Sequence, residues 1–217
     1  MTTTALRARK HARLGRLGAL AAAVFLLAAC GERDKSPADA APATAYMRPV
    51  GDVSEVDATL FEAAGKGDSD GVEEAIEEGA DVNAADKLKR TPLFGAAFLN
   101  RPETAKLLIA AGADVNARDF IDFTPLHAAV VAGGKEVVAV LLANGANIND
   151  RAVGGRTALH LAAATNQAAM VDLLLEKGAN PNAKDSEGLR PAALAARNDH
   201  AAVSARIKQW VEKRNAK

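Results

Sequence analysis

The chain has a single cysteine, Cys30, in 217 residues. One thiol can form neither an internal disulfide nor a thiolate metal cluster, so both kinds of staple are excluded. Aromatic residues make up only 4% of the chain, so a core must be built from Ala, Leu and Val rather than from stacked rings. Acidic and basic residues balance at 27 each, and no basic stripe interrupts the pattern. That balance excludes a phosphate-backbone reader. No Gly-rich phosphate loop, no Ser or Cys nucleophile signature and no spaced carboxylate pair is present. No cofactor, no metal and no enzymatic activity is therefore expected.

Two ladders of short motifs are present instead. Thr91-Pro92-Leu93, Thr124-Pro125-Leu126-His127 and Thr157-Ala158-Leu159-His160 each follow the last by 33 residues. Gly79-Ala80-Asp81-Val82-Asn83, Gly112 to Asn116, Gly145 to Asn149 and Gly178 to Asn182 keep the same step. Two independent motifs locked to one period mean stacked structural repeats, in which each unit buries its apolar face against its neighbours. Ala58-Thr59-Leu60-Phe61 extends the pattern backwards and Arg190-Pro191-Ala192 extends it forwards.

Thr before Pro suits a helix start, where the hydroxyl caps free amides and Pro fits the first turn. Small pairs such as Ala96-Ala97, Ala128-Ala129 and Ala162-Ala163 let neighbouring helices approach closely. An amphipathic second helix follows, as at Val137-Val138 with Leu141-Leu142. Gly112, Gly145 and Gly178 stand where a helix end needs a left-handed residue.

This pattern resembles the ankyrin repeat family. The resemblance implies an all-α repeat solenoid of five units, near 53–85, 86–118, 119–151, 152–184 and 185–217, each a helix-turn-helix plus a projecting β-turn finger, stacked in one curved domain. It also implies a structural role for Thr91, Pro92, Thr124, Pro125, Thr157, His127 and His160, with each imidazole linking turn backbone between units. In the terminal units, Glu73-Glu74, Glu77-Glu78, Arg206 and Lys208 read as polar caps, and Trp210 is expected over the open end of the core.

The first 29 residues differ in kind. Arg7, Arg9, Lys10, Arg13 and Arg16 precede an apolar run from Leu17 to Ala29, too short to span a bilayer comfortably. Leu27-Ala28-Ala29-Cys30 resembles a bacterial lipobox, which implies cleavage before Cys30 and its acylation. An ordinary signal peptide or an uncleaved anchor is the alternative. Cleavage would leave 22 basic and 27 acidic residues, a net charge of about −5. Lipidation would place the protein on the periplasmic side of a bacterial envelope. Gly31 in place of an aspartate favours the outer membrane, by analogy with the enterobacterial sorting rule. Residues 30–52 read as an Ala/Pro/Asp-rich tether with ends roughly 25 Å apart, and 53–217 as the repeat domain.

Ankyrin proteins usually meet partners through finger tips and the first-helix surface. The third finger, Asp119-Phe120-Ile121-Asp122-Phe123, is unusually apolar for an exposed turn. With Leu88, Phe98, Leu99 and Val131 it forms a candidate partner-binding patch, built from Phe120, Ile121 and Phe123. Lys89 and Asp122 replace the glycine kept at Gly155 and Gly188, so the Lys89 finger is expected to depart from standard geometry.

The chain thus reads as a membrane-anchored, monomeric interaction module that binds or restrains an envelope protein. An immunity protein against a toxin delivered into the periplasm is the alternative. A small-ligand binder or enzyme would need a deep polar pocket, which such stacks rarely possess.

Overall fold

The computed structural model describes residues 49–216. The proposed lipobox, Cys30 and most of the tether lie outside the described residues. Ten α-helices pair off along the chain: α1 (Glu55–Lys66) with α2 (Ser69–Glu77), α3 (Pro92–Phe98) with α4 (Pro102–Ala110), and α5 (Pro125–Ala132) with α6 (Lys135–Ala143). They continue with α7 (Ala158–Ala164) and α8 (Ala168–Glu176), then α9 (Pro191–Arg197) and α10 (Ala201–Asn215). First helices pack on first helices and second on second, giving two layers of an all-α solenoid of five repeats. No helix among the described residues is long and apolar enough to cross a membrane.

The local starts and stops follow from the sequence. The Thr91 hydroxyl accepts from the Phe94 amide at 3.2 Å, and Pro92 occupies the first turn of α3. Gly79, Gly112, Gly145 and Gly178 all adopt φ between 87° and 95°, the left-handed exit that a β-carbon would oppose. Ala96, Ala97, Ala128, Ala129, Ala162 and Ala163 are fully buried, so the first helices meet with little more than backbone between them. The second layer buries Leu108, Val137, Val138, Leu141, Val171 and Leu174. Each such aliphatic side chain contributes roughly 1.5–3 kcal/mol by leaving water.

Asparagines tie the repeats together. Asn83 donates through Nδ2 to the Gly112 carbonyl (3.0 Å) and accepts from the Asp114 amide (2.8 Å). One repeat on, Asn116 donates to the Gly145 carbonyl (3.2 Å) and accepts from the Asn147 amide (2.9 Å). Asn149 accepts from the Asn180 amide (2.8 Å). At the amino-terminal end Asp57 closes the series by accepting from the Asp81 amide (2.8 Å).

The first repeat departs from the others because α1 begins at Glu55, capped by Ser54, where a finger would otherwise stand. Residues 49–52, expected to belong to the tether, fill that slot. The Val50 amide donates to Asp86 Oδ2 (3.1 Å), the Lys87 amide donates to the Val50 carbonyl (2.7 Å), and Asp52 lies 3.7 Å from the Lys87 ammonium. Trp210 is half-buried on α10, with the Arg214 guanidinium 5.0 Å from its ring centroid.

Candidate functional site

Four fingers, at 86–90, 119–123, 152–156 and 185–189, share one backbone pattern. The first residue donates to the carbonyl of the fifth: Asp86 to Arg90 (3.1 Å), Asp119 to Phe123 (2.9 Å), Ala152 to Arg156 (2.8 Å) and Asp185 to Leu189 (2.9 Å). The fourth residue is left-handed in every case, with φ of 56° at Lys89, 60° at Asp122, 68° at Gly155 and 77° at Gly188. The expected departure at Lys89 is therefore absent: the turn geometry is kept and the side chain carries the strain.

Fingers also bond to one another in register. The Phe120 amide donates to the Leu88 carbonyl (3.0 Å), Val153 to Ile121 (3.0 Å) and Ser186 to Gly154 (2.8 Å). With Lys87 on Val50, these bonds align Val50, Lys87, Phe120, Val153 and Ser186 in one row along the finger tips. Among the described residues, the exposed large apolar side chains are Val50, Phe120 and Val153, at 43%, 41% and 50%. All three lie on this row. A solvated side chain on a turn gains nothing for the fold by being apolar, so the coincidence points to contact with something else.

The structure separates the sequence-derived patch into two groups. Phe120 is exposed, and Leu88, Phe98 and Leu99 are half-buried. Ile121, Phe123 and Val131 are buried, which corrects the view that the apolar finger lacks a folding rationale. Alternation along the finger turns Ile121 and Phe123 inward, and the Phe123 ring rests 5.4 Å from the His127 ring. Sequence reasoning passed over Val50 and Val153. The signal for Val153 was its register: it stands one period after Phe120.

The fingers differ in what holds them. In three of them an aspartate carboxylate accepts from two amides of its own turn. Asp86 Oδ1 takes Leu88 and Arg90, Asp119 Oδ1 takes Ile121 and Phe123, and Asp185 Oδ1 takes Glu187 and Leu189, all at 2.8–3.0 Å. Burial raises the Asp119 pKa, and those two amide bonds oppose the rise. The fourth finger has Ala152 at this place and so lacks the carboxylate.

Both buried histidines reach from a first helix to the finger side of the next repeat. His127 Nδ1 accepts the Thr124 amide (3.2 Å), which places the ring proton on Nε2. That Nε2 donates to the Asp150 carbonyl at 3.2 Å. His160 repeats the arrangement with the Thr157 amide (3.2 Å) and the Leu189 carbonyl (3.1 Å). Burial drives the His127 pKa down to about 4 and lowers that of His160. Among the described residues no group of three or more His, Cys, Asp or Glu is placed to hold a metal ion.

A family model described as ankyrin repeats in three copies matches residues 60–152, and the single ankyrin repeat model matches residues 154–186. No curated protein matches the sequence.

Proposed function

Because the chain belongs to the ankyrin repeat family, we propose that it is a protein-binding module that meets its partner along the finger-tip row centred on Phe120 and Val153. The observation carrying this reading is that every exposed large apolar side chain among the described residues falls on that row. Half-buried Leu88, Phe98 and Leu99 extend the apolar surface around the second finger. Lys87 and Lys89 border it with positive charge, which suits a partner with apolar anchors beside an acidic group.

We place the module on a lipid anchor at Cys30, in the bacterial envelope, where it holds or restrains an envelope protein. Leu27-Ala28-Ala29-Cys30 after an apolar run supports that placement. Metabolic labelling with a palmitate analogue tests the anchor, since label must enter the parent and be lost from Cys30→Ser. The interface is tested by capture from envelope extracts with the full chain and with Phe120→Ser/Val153→Ser. Selective loss of one captured protein from a variant of unchanged helicity supports the row. An identical list from both baits overturns it.

A further inference from the structure

The fourth finger combines three features that no other finger shares: it carries Val153 of the proposed binding row, it lacks the aspartate brace, and the carbonyl just before it, that of Asp150, is held by a fully buried histidine. Two successive left-handed glycines, Gly154 and Gly155, form its tip. The finger is thus held by its own Ala152–Arg156 pairing, by single bonds to its neighbours, and by His127 at its base.

We propose that His127 is an acid-sensitive latch on the fourth finger: protonation releases the finger that carries Val153 while the braced second and third fingers stay closed. A second proton has only Nδ1 to occupy, where it would confront the Thr124 amide at 3.2 Å. The resulting cation would sit among groups that do not welcome it. Arg118 faces it from before the third finger, and Arg156 from the fourth. The Asp150 carboxylate is engaged by Arg118 at 2.8 Å. On one side α3 has no titratable side chain, and on the other α7 offers only His160. Lys135 and Glu136 of α6 are exposed at its start. Packed helices close the other approaches, so water reaches the ring by displacing the Asp150 carbonyl and the unbraced finger behind it.

His160 bonds the Leu189 carbonyl of the fifth finger in the same way, but Asp185 braces that finger through two amides. Asp185, Arg151 and Arg156 face the His160 ring. The asymmetry between fingers four and five is therefore set by residue 152. The first two repeats carry Phe61 and Phe94 where His127 and His160 stand, and so contain no such latch.

The consequence for binding rests on the finger row being the interface; the latch itself does not. The test is amide hydrogen exchange on the full chain without any partner, at pH 7.5 and pH 5, corrected for intrinsic rates. Opening that returns His127 to its ordinary proton affinity is favoured about 25-fold more at pH 5. The Val153 and Gly155 amides should show that increase, while those of Lys89 and Asp122 change less than about three-fold. His127→Phe, which adopts the residue of the earlier repeats, should abolish the pH dependence. Ala152→Asp, which restores the brace, should reduce it several-fold. An equal increase in all fingers, no increase in the fourth, or a pH dependence surviving in His127→Phe would overturn the latch. Loss of the row as a binding surface would show only in the capture experiment.

Discussion

Removing one asparagine from the interior of the ladder should cost far more than removing its counterpart at the end. Asn116 makes two side-chain bonds to the next repeat, to the Gly145 carbonyl and the Asn147 amide. Asn182 occupies the same place in the last full motif, and its amide likewise bonds the preceding Asn180 side chain, but no later repeat exists for its side chain to join. Both substitutions to alanine lose the same intrinsic terms, so their difference isolates the link between units. A net 0.5–1.5 kcal/mol per hydrogen bond puts Asn116→Ala at about 2 kcal/mol and Asn182→Ala at a few tenths. Urea unfolding followed by far-ultraviolet circular dichroism measures both, with the slopes compared to show that the transition is unchanged. Equal losses for the two variants would refute the argument, because the ladder would then contribute nothing beyond the local turn.

Three further outcomes follow from the geometry. Phe123→Ser should destabilise by about 3–5 kcal/mol in the same assay, since it empties a buried site against His127, whereas Phe120→Ser should stay within about 0.5 kcal/mol. Lys89→Gly should stabilise the protein by about 0.5–1 kcal/mol, because its φ of 56° suits glycine as at Gly155 and Gly188. For pH, a histidine with a lowered folded pKa binds its extra proton more readily in the unfolded chain. Its stabilisation is whole above about 6.5 and is lost as pH falls toward 4. His127 alone accounts for about 3 kcal/mol over that window, and His160 adds in the same direction. Asp119, with a raised pKa, acts with the opposite sign at the acidic end, favouring the folded state there. Urea midpoints between pH 7.5 and 4.5 check the balance, and a flat profile would contradict the burial argument.

The helix pairs were legible in the sequence because their determinants are local. Thr before Pro, alanine pairs and a glycine at each second-helix exit are choices made within a few residues, and the period repeats them. The candidate site was legible only in part. Phe120 was found because an aromatic on a turn is conspicuous by itself. Ile121 and Phe123 were grouped with it because the sequence does not reveal how a five-residue turn divides its side chains between solvent and core. That division depends on the left-handed residue at Asp122 and on the ring of His127 beneath Phe123.

The sequence by itself determined the repeat, its length and the capping of each helix, since each of these is fixed by chemistry between near neighbours in the chain. Only the tertiary structure decided which finger residues face outward, that residues 49–52 complete the finger row, and that His127 grips the unbraced fourth finger. Those outcomes arise between residues about one repeat or more apart, where stacking brings backbone amides within hydrogen-bond reach and excludes water from an imidazole. A period in the sequence announces that such contacts exist, but their bonds form only when one repeat lies against the next.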